Sequence, residues 1–341
     1  MYDMLTIDNQ QITILRSWVE EASDVVVIAH RNADGDAVGS SLAIWHILRS
    51  MGKNVFVVLP DGCPYTYSWL PGSESIRGGE RQQDECRGLL LSADLIIAVD
   101  FNAPYRVAAL QEALSEARCR KVLIDHHENP AKEAFNLLFS RPEISSACEL
   151  CYWVALSAWG PDAIDRTVAT CLYTGIRTDT GGLSYSCNQP SLYEAVAALV
   201  ARDIDPERLN HFIVDNYSVD RLMFYAFAIS QRLKIFPEHK FAYFYISLDD
   251  QHRHHIDSVD IEGLVNYTLR LQQVEVGALI REEPKRIKVS LRSKFDFNVE
   301  RIASQFFNGG GHIKAAGGDC VGMTMKEVMD KVENVFLSQT R

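Results

Sequence analysis

Four short apolar runs punctuate the first part of the chain, at residues 25–29, 55–59, 95–99 and 122–124, and all are rich in Val, Ile and Leu. None alternates apolar with polar positions, so each reads as a strand buried on both faces. Amphipathic stretches such as 37–49 and 105–118 lie between them. This alternation predicts an α/β fold, a parallel sheet with helices on both faces. Ligands of such sheets gather at the carboxyl ends of the strands. The residues that close each strand are therefore the first candidates for chemistry.

At 341 residues the chain exceeds what one small core organises, and two domains are expected. A helical stretch over 191–233, with Pro190 and Pro206 as starts, ends before Pro237. Strand patterns follow at 241–247, 274–280 and 286–291, then a helix at 299–307, the run Asn308-Gly309-Gly310-Gly311, and a last helix at 325–337. The expected boundaries are 1–188 for the first domain, 189–237 for a helical linker and 238–341 for a smaller α/β domain, with a cleft between the domains.

No apolar run reaches the roughly 18 residues of a membrane span. Residues 1–21 mix charged with apolar positions and lack a signal-peptide core. The eight cysteines are scattered, which predicts reduced thiols and a cytoplasmic protein. Cys148 and Cys151 form a lone C-x-x-C inside the apolar stretch 145–159, which reads as helix packing rather than a zinc site.

The formal net charge is −11, and it divides unevenly: −10 for residues 1–237 and −1 for 238–341. Basic density is local, with seven basic against four acidic residues over 281–301. This balance argues against a protein that coats long nucleic acids. It leaves short anionic substrates open.

His30 closes the first strand run, and Asp34 and Asp36 follow on the next turn, where Gly35 allows a tight path. Either aspartate can also serve as the cap of the following helix. Asp100 closes the third strand run, and Asp125-His126-His127 closes the fourth. Asp179 stands where the helical stretch 168–176 gives way to Gly181-Gly182. Imidazoles mixed with carboxylates suit Mn²⁺ or a similar ion better than Ca²⁺, which prefers oxygen alone. Six ligands, one of them bridging, suffice for two ions about 3.5–4 Å apart, which points to metal-assisted phosphoester hydrolysis.

These residues resemble the four motifs of the DHH phosphoesterase superfamily: His30-x3-Asp34-x-Asp36, Asp100, Asp125-His126-His127 and Thr178-Asp179-Thr180-Gly181. Glu262-Gly263-Leu264-Val265-Asn266, Ser290-Leu291-Arg292-Ser293 and the run from Gly309 to Gly318 resemble the DHH-associated C-terminal domain. The resemblance is nearest to the nano-RNase A-type subgroup of oligoribonucleases and pAp phosphatases. It implies two divalent ions, Mn²⁺ by preference. One ion would be held by His30, Asp34 and Asp100, the other by Asp36, Asp100, His126 and Asp179. It further implies that His127 faces the scissile phosphate, with Asp125 behind it. In the second domain it implies substrate contacts by Arg292, Ser293, Gly310, Gly311, His312 and Lys314. Arg106 is a further candidate for substrate contact.

The sequence departs from many relatives in carrying Gly182-Leu183-Ser184 where they continue with Ser-Phe-Arg. The expected substrates are short RNA or DNA oligonucleotides, dinucleotides or pAp, with no long polymer and no membrane. Assembly is left open, a homodimer included. The competing readings are a pyrophosphatase or exopolyphosphatase, a cyclic-dinucleotide phosphodiesterase, and a nucleotide sensor without turnover. His252, His254 and His255 look like a metal tract but read better as an exposed helix face. Trp69 and residues 65–67 read as a loop packed onto the domain.

Overall fold

The computed structural model describes residues 6–215, 217–257 and 260–338, so 1–5 and 339–341 of the expected domains lie outside it. The chain divides into two compact units between residues 216 and 217. The first runs α1 (Asn9–Glu21), β1 (Asp24–Ile28), α2 (Gly35–Ser50), β2 (Asn54–Val58), α3 (Gln83–Ser92), β3 (Leu95–Val99), α4 (Gln111–Glu116), β4 (Arg120–Asp125), β5 (Leu137–Ser140), α5 (Ala147–Trp159), α6 (Arg166–Asp179), α7 (Pro190–Val200) and α8 (Pro206–Ile213). Its five strands are all parallel, in the order β2-β1-β3-β4-β5.

Successive strand residues point to opposite faces, and here both sets are aliphatic. Val25, Val27, Ile97 and Ile124 join the core shared with α1, α2, α5 and α6. Val26, Ile28, Ile96 and Leu123 join the core beneath α3 and α4. Each such buried side chain contributes about 1.5–3 kcal/mol relative to exposure. The sheet is thus covered on both faces, as the alternation of runs predicts. The chain leaves β1 for β2 on one side and returns to β3 on the other. That reversal opens a crevice at the carboxyl ends of β1 and β3.

Close helix packing brings residues from opposite ends of the unit to this crevice. A Cβ on Gly35 would lie 2.4 Å from Thr178 Oγ1, one on Gly39 2.5 Å from the Cys171 carbonyl, and one on Gly175 2.1 Å from Cys148 Sγ. Only glycine lets α2, α5 and α6 approach so closely. The result sets the N-terminus of α2, with Asp34 and Asp36, beside the C-terminus of α6, with Asp179. Cys148 and Cys151 are buried free thiols in α5, part of that packing.

The second unit runs α9 (Val219–Gln231), β6 (Leu233–Phe236), β7 (Phe241–Ile246), α10 (Leu248–Arg253), β8 (Val276–Glu283), β9 (Arg286–Ser293), α11 (Val299–Phe306), β10 (Gly310–His312), β11 (Ala315–Cys320) and α12 (Met325–Leu337). Its sheet has the order β10-β11-β9-β8-β7-β6, and only β7 and β8 pair in parallel. Helices α11 and α12 cover the face that carries Ile287, Val289 and Leu291. Among the described residues, no helix is long and apolar enough to cross a membrane.

Three features depart from the sequence reading. The stretch 189–237 divides between the units: Leu192, Leu199 and Leu209 bury in the first core, whereas Phe224, Tyr225 and Ala228 bury in the second unit. Residues 105–118 do not form one helix. A 3₁₀ segment, Pro104–Leu110, is kinked at Ala108, whose φ is 50°, before α4 begins. The glycine-rich stretches of the second unit form β10 and β11, because backbones meet there: a Cβ on Gly309 would lie 1.8 Å from the Gly317 carbonyl.

Candidate active site

Each predicted strand-end residue lies where the chain leaves the sheet. His30 is two residues beyond β1, Asp100 follows β3 directly, and Asp125 ends β4, with His126 and His127 next. Asp100 takes a left-handed backbone conformation, φ 60°, while its N–H donates to the Ile124 carbonyl at 3.1 Å. A non-glycine residue in this region is strained by about 1–3 kcal/mol and clusters at functional sites. The turn aims the Asp100 carboxylate, 2% exposed, at three imidazoles. His30 Nε2 is 3.3 Å from Oδ2, and His126 Nε2 and His127 Nδ1 are 3.6 and 3.8 Å from Oδ1.

Asp34 caps α2: its Oδ1 accepts the N–H groups of Asp36 and Ala37 at 3.0 and 3.1 Å. The capping reading and the ligand reading are compatible, because Oδ2 makes neither bond. Asp36, the second residue of α2, is 1% exposed. Its carboxylate accepts the N–H groups of Ala147 at 2.6 Å and Cys148 at 2.8 Å, at the electropositive start of α5. Asp179 closes α6 with Oδ2 3.6 Å from His126 Nε2, and Asp36 Oδ2 is 3.7 Å from the same nitrogen.

The imidazoles share one orientation logic. His30 Nδ1 is 2.8 Å from the Arg31 carbonyl, His126 Nδ1 is 3.3 Å from the Ile144 carbonyl, and His127 Nδ1 is 2.7 Å from Asp125 Oδ1. An oxygen acceptor places the proton on Nδ1 and leaves Nε2 as the basic nitrogen, the arrangement that second partners impose on metal-binding histidines. Among the described residues, three sets of potential ligand atoms that lie within 4.8 Å of one another share Asp100: His30, Asp34 and Asp100; Asp36, Asp100 and His126; and Asp100, Asp125 and His127. Separations of 3.6–3.7 Å around His126 Nε2 are too long for hydrogen bonds. They resemble the spacing of roughly 3–3.6 Å expected between atoms that each sit about 2.0–2.2 Å from a common cation. The donor set fits divalent ions.

The electrostatics agree. Burial, reinforced by Asp100 and Asp179, pushes the Asp36 carboxyl well above the usual carboxylate range. Burial and the nearby Asp34 and Asp100, against the pull of His126, raise Asp179 to about 6. Burial opposes protonation of His30, but the Asp100 carboxylate overrides it and raises the imidazole to about 9. Burial likewise opposes protonation of His126, yet Asp100, Asp179 and Asp36 hold it well above its ordinary value. Both kinds of shift express an excess of negative charge that takes up protons or cations.

These raised values carry a stability sign. Protons held more tightly in the folded state stabilise it at low pH, and the gain is lost as pH rises through about 6 for Asp179 and about 9 for His30. Protein stripped of divalent ions is therefore expected to lose Tm between pH 6.5 and 9, and Mn²⁺ to restore it with release of protons. Calorimetric scans with and without EDTA check this. A Tm that rises with pH in the stripped protein would refute it.

Asp125 is fully buried, and its Oδ2 has no hydrogen-bond partner. Arg106 lies in the kinked 3₁₀ segment, its carbonyl accepting the Arg31 N–H at 2.9 Å. Its Nε is also buried without a partner, and its charge opposes protonation of His30. Gly181, Gly182 and Leu183 are all left-handed, with φ of 53°, 74° and 62°. The φ of 74° at Gly182 is strained for any residue with a Cβ, which favours glycine at this departure from the family pattern.

In the second unit Arg292 stands half-buried on β9. Ser293 alternates to the covered face, 5% exposed, and its hydroxyl donates to the Phe297 carbonyl at 2.6 Å. That hydroxyl ties the turn after β9. Gly311, φ 141°, is required by the β10–β11 approach, whereas a Cβ on Gly310 would meet nothing within 4 Å. His312 pairs with Ala315 across β10 and β11, and Lys314 is exposed in the turn between them.

His254 packs on Phe227 with ring centroids 4.4 Å apart, and none of His252, His254 and His255 joins a ligand cluster among the described residues. Trp69 stacks on Phe212 at 4.8 Å, as loop packing requires. Residues 144–148 went unnoticed in the sequence, although their carbonyl and N–H groups orient His126 and Asp36. The Ser146-x-x-Glu149 capping pattern was the available signal.

Comparison with known proteins defines the class. Residues 24–176 match the DHH family, N-terminal domain, and residues 238–337 match the DHHA1 domain. The chain belongs to the DHH family of phosphoesterases. An exopolyphosphatase-related protein from Bacteroides fragilis, known from its crystal structure, is 34% identical, with a TM-score of 0.92 over 98% of both chains. Cyclic-di-AMP phosphodiesterase GdpP of Bacillus subtilis is 24% identical over 94% of this chain and 49% of its own length. This chain thus spans about half of that relative. Bifunctional oligoribonuclease and PAP phosphatase NrnA of Thermus thermophilus is 26% identical over 90% of this chain and 87% of its own length.

Proposed function

We propose that the protein is a divalent-metal-dependent phosphohydrolase that cleaves short oligonucleotides or dinucleotides to mononucleotides and removes the 3′-phosphate of pAp. The observation that carries this reading is the Asp100 carboxylate, turned by a left-handed backbone into the centre of three imidazoles. NrnA, matched over most of its own length, supports the choice of substrate class.

In this reading His30, Asp34 and Asp100 hold one ion, and Asp36, Asp100, His126 and Asp179 hold the other, Mn²⁺ being the preferred metal. Such ions supply water activation and neutralise charge on the phosphoryl oxygens. His127, oriented by Asp125 through Nδ1, presents Nε2 to the scissile phosphate, where it can stabilise charge or move a proton. The guanidinium of Arg106 adds positive charge on the His30 side. Arg292 grips a phosphate at the far end of the substrate, its planar fork suited to two parallel hydrogen bonds. Gly310, Gly311 and His312 contact the terminal nucleotide, and Lys314 adds charge.

A second reading, hydrolysis of a phosphoanhydride in polyphosphate, draws on the exopolyphosphatase-related structure. One Mn²⁺ assay across pAp, linear dinucleotides, cyclic di-AMP, longer RNA and polyphosphate separates the two. Fastest turnover of dinucleotides and pAp, with rates falling as length grows, is expected. Turnover confined to polyphosphate would reverse the order of the readings.

A further inference from the structure

Residues 144–148 hold two members of the candidate metal centre at once. The Ile144 carbonyl faces His126 Nδ1 at 3.3 Å, and the N–H groups of Ala147 and Cys148 hold Asp36 at 2.6 and 2.8 Å. Ser146 caps α5 by accepting the Glu149 N–H at 3.0 Å. What fixes this loop from inside is Glu149, a fully buried carboxylate. Its Oε2 accepts the Ser145 N–H at 3.0 Å and the Ser145 hydroxyl at 2.6 Å. Its Oε1 accepts the hydroxyl of Ser191, on the second residue of α7, at 2.7 Å.

Three hydrogen bonds thus converge on one buried side chain from two sides of the loop. A carboxylate is costly to bury, and an apolar residue of similar volume would pack there at less cost. The hydrogen bonds explain its presence, because they tie the loop to α7 and so fix the direction of two ligand-orienting contacts. We propose that Glu149 is a positioning residue for the metal centre, acting through residues 144–148 on Asp36 and His126. The inference rests on the metal-centre reading above. It assigns a role outside the ligand set to a residue that touches neither metal nor substrate.

The role is geometric, so amide and truncation variants separate. Gln keeps an acceptor for Ser145 and can donate to the Ser191 hydroxyl, which rotates to accept. Ala leaves the Ser145 N–H and two hydroxyls without their partner. The test is a calorimetric Mn²⁺ titration of the full chain together with its Tm. Glu149→Ala is expected to weaken Mn²⁺ binding about 10–100-fold, the usual effect of removing a group that orients ligands. Glu149→Gln is expected to stay within about threefold of the parent.

Val154→Ala supplies the control for lost stability, since Val154 is buried in α5 but takes no part in the loop. It should lower Tm with Mn²⁺ affinity unchanged. Should Glu149→Ala not fold, Ser191→Ala, which removes one of the three bonds, is read instead, with about threefold to tenfold weaker binding expected. Parent-like Mn²⁺ affinity in the truncation variant, or equal weakening by Val154→Ala at matched Tm loss, would overturn the proposal. Absence of Mn²⁺ binding by the parent chain would instead overturn the metal-centre reading itself.

Discussion

Replacing Asp100 with Asn is expected to lower kcat for phosphodiester cleavage by at least about 10³-fold, or roughly 4 kcal/mol of transition-state stabilisation. Asn tolerates the left-handed backbone about as well as Asp, so the turn at φ 60° survives and the change isolates the charge. That charge is shared more widely than any other in the site. Asp100 belongs to three of the potential ligand clusters among the described residues and lies within 3.8 Å of all three imidazoles. Burial works against its ionisation, yet the neighbouring imidazoles of His126, His30 and His127 hold its carboxyl well below the usual range. An amide at this position cannot bridge two cations with full charge. Steady-state rates alongside Mn²⁺ binding check the expectation. Activity within tenfold of the parent would remove Asp100 from the centre of the account.

Replacing His127 with Ala is expected to lower kcat by about 10²–10⁴-fold, the range for loss of a positioned acid–base group. The two substitutions should differ in what else they change. His127 is outside the proposed ligand sets, so Mn²⁺ binding should persist in His127→Ala and weaken in Asp100→Asn. The 2.7 Å hydrogen bond between Nδ1 and the fully buried Asp125 orients the ring. Asp125→Asn should therefore lower kcat as well, through the wrong tautomer and a loosened ring. Loss of Mn²⁺ affinity in His127→Ala equal to that in Asp100→Asn would make His127 a ligand instead.

Much of this site was legible because it sits at strand ends. Val25 to Ile28, Leu95 to Val99 and Val122 to Ile124 are uninterrupted aliphatic runs, and a polar residue closing such a run is conspicuous. Asp125-His126-His127 stands out for that reason. The family resemblance, not spacing, supplied the pairing of ligands into two sets. Helix limits were readable where caps are explicit, as at α12, where Thr324 and Glu327 form a reciprocal capping box.

The rest was hidden for identifiable reasons. β10 and β11 carry Gly310, Gly311, Gly317 and Gly318, which have poor strand propensity; only their partners make them strands. The kink at Ala108 has no local signal, because alanine is a strong helix former held here in a conformation it rarely takes. Ser293 and its neighbour Arg292 lie on opposite faces of β9, as strand alternation requires. Glu149 was hidden inside an apolar helix, where one acidic residue looks like a solvated position. Its importance follows from contacts to Ser145 and Ser191, the latter 42 residues away in sequence.

The central claim is that the crevice at the ends of β1, β3 and β4 holds two divalent ions that share Asp100. An equilibrium Mn²⁺ titration of the purified full chain, after removal of bound metals, tests it most directly. The account predicts two ions per chain. Saturation at one ion, or no binding at Mn²⁺ concentrations that support turnover, would contradict it.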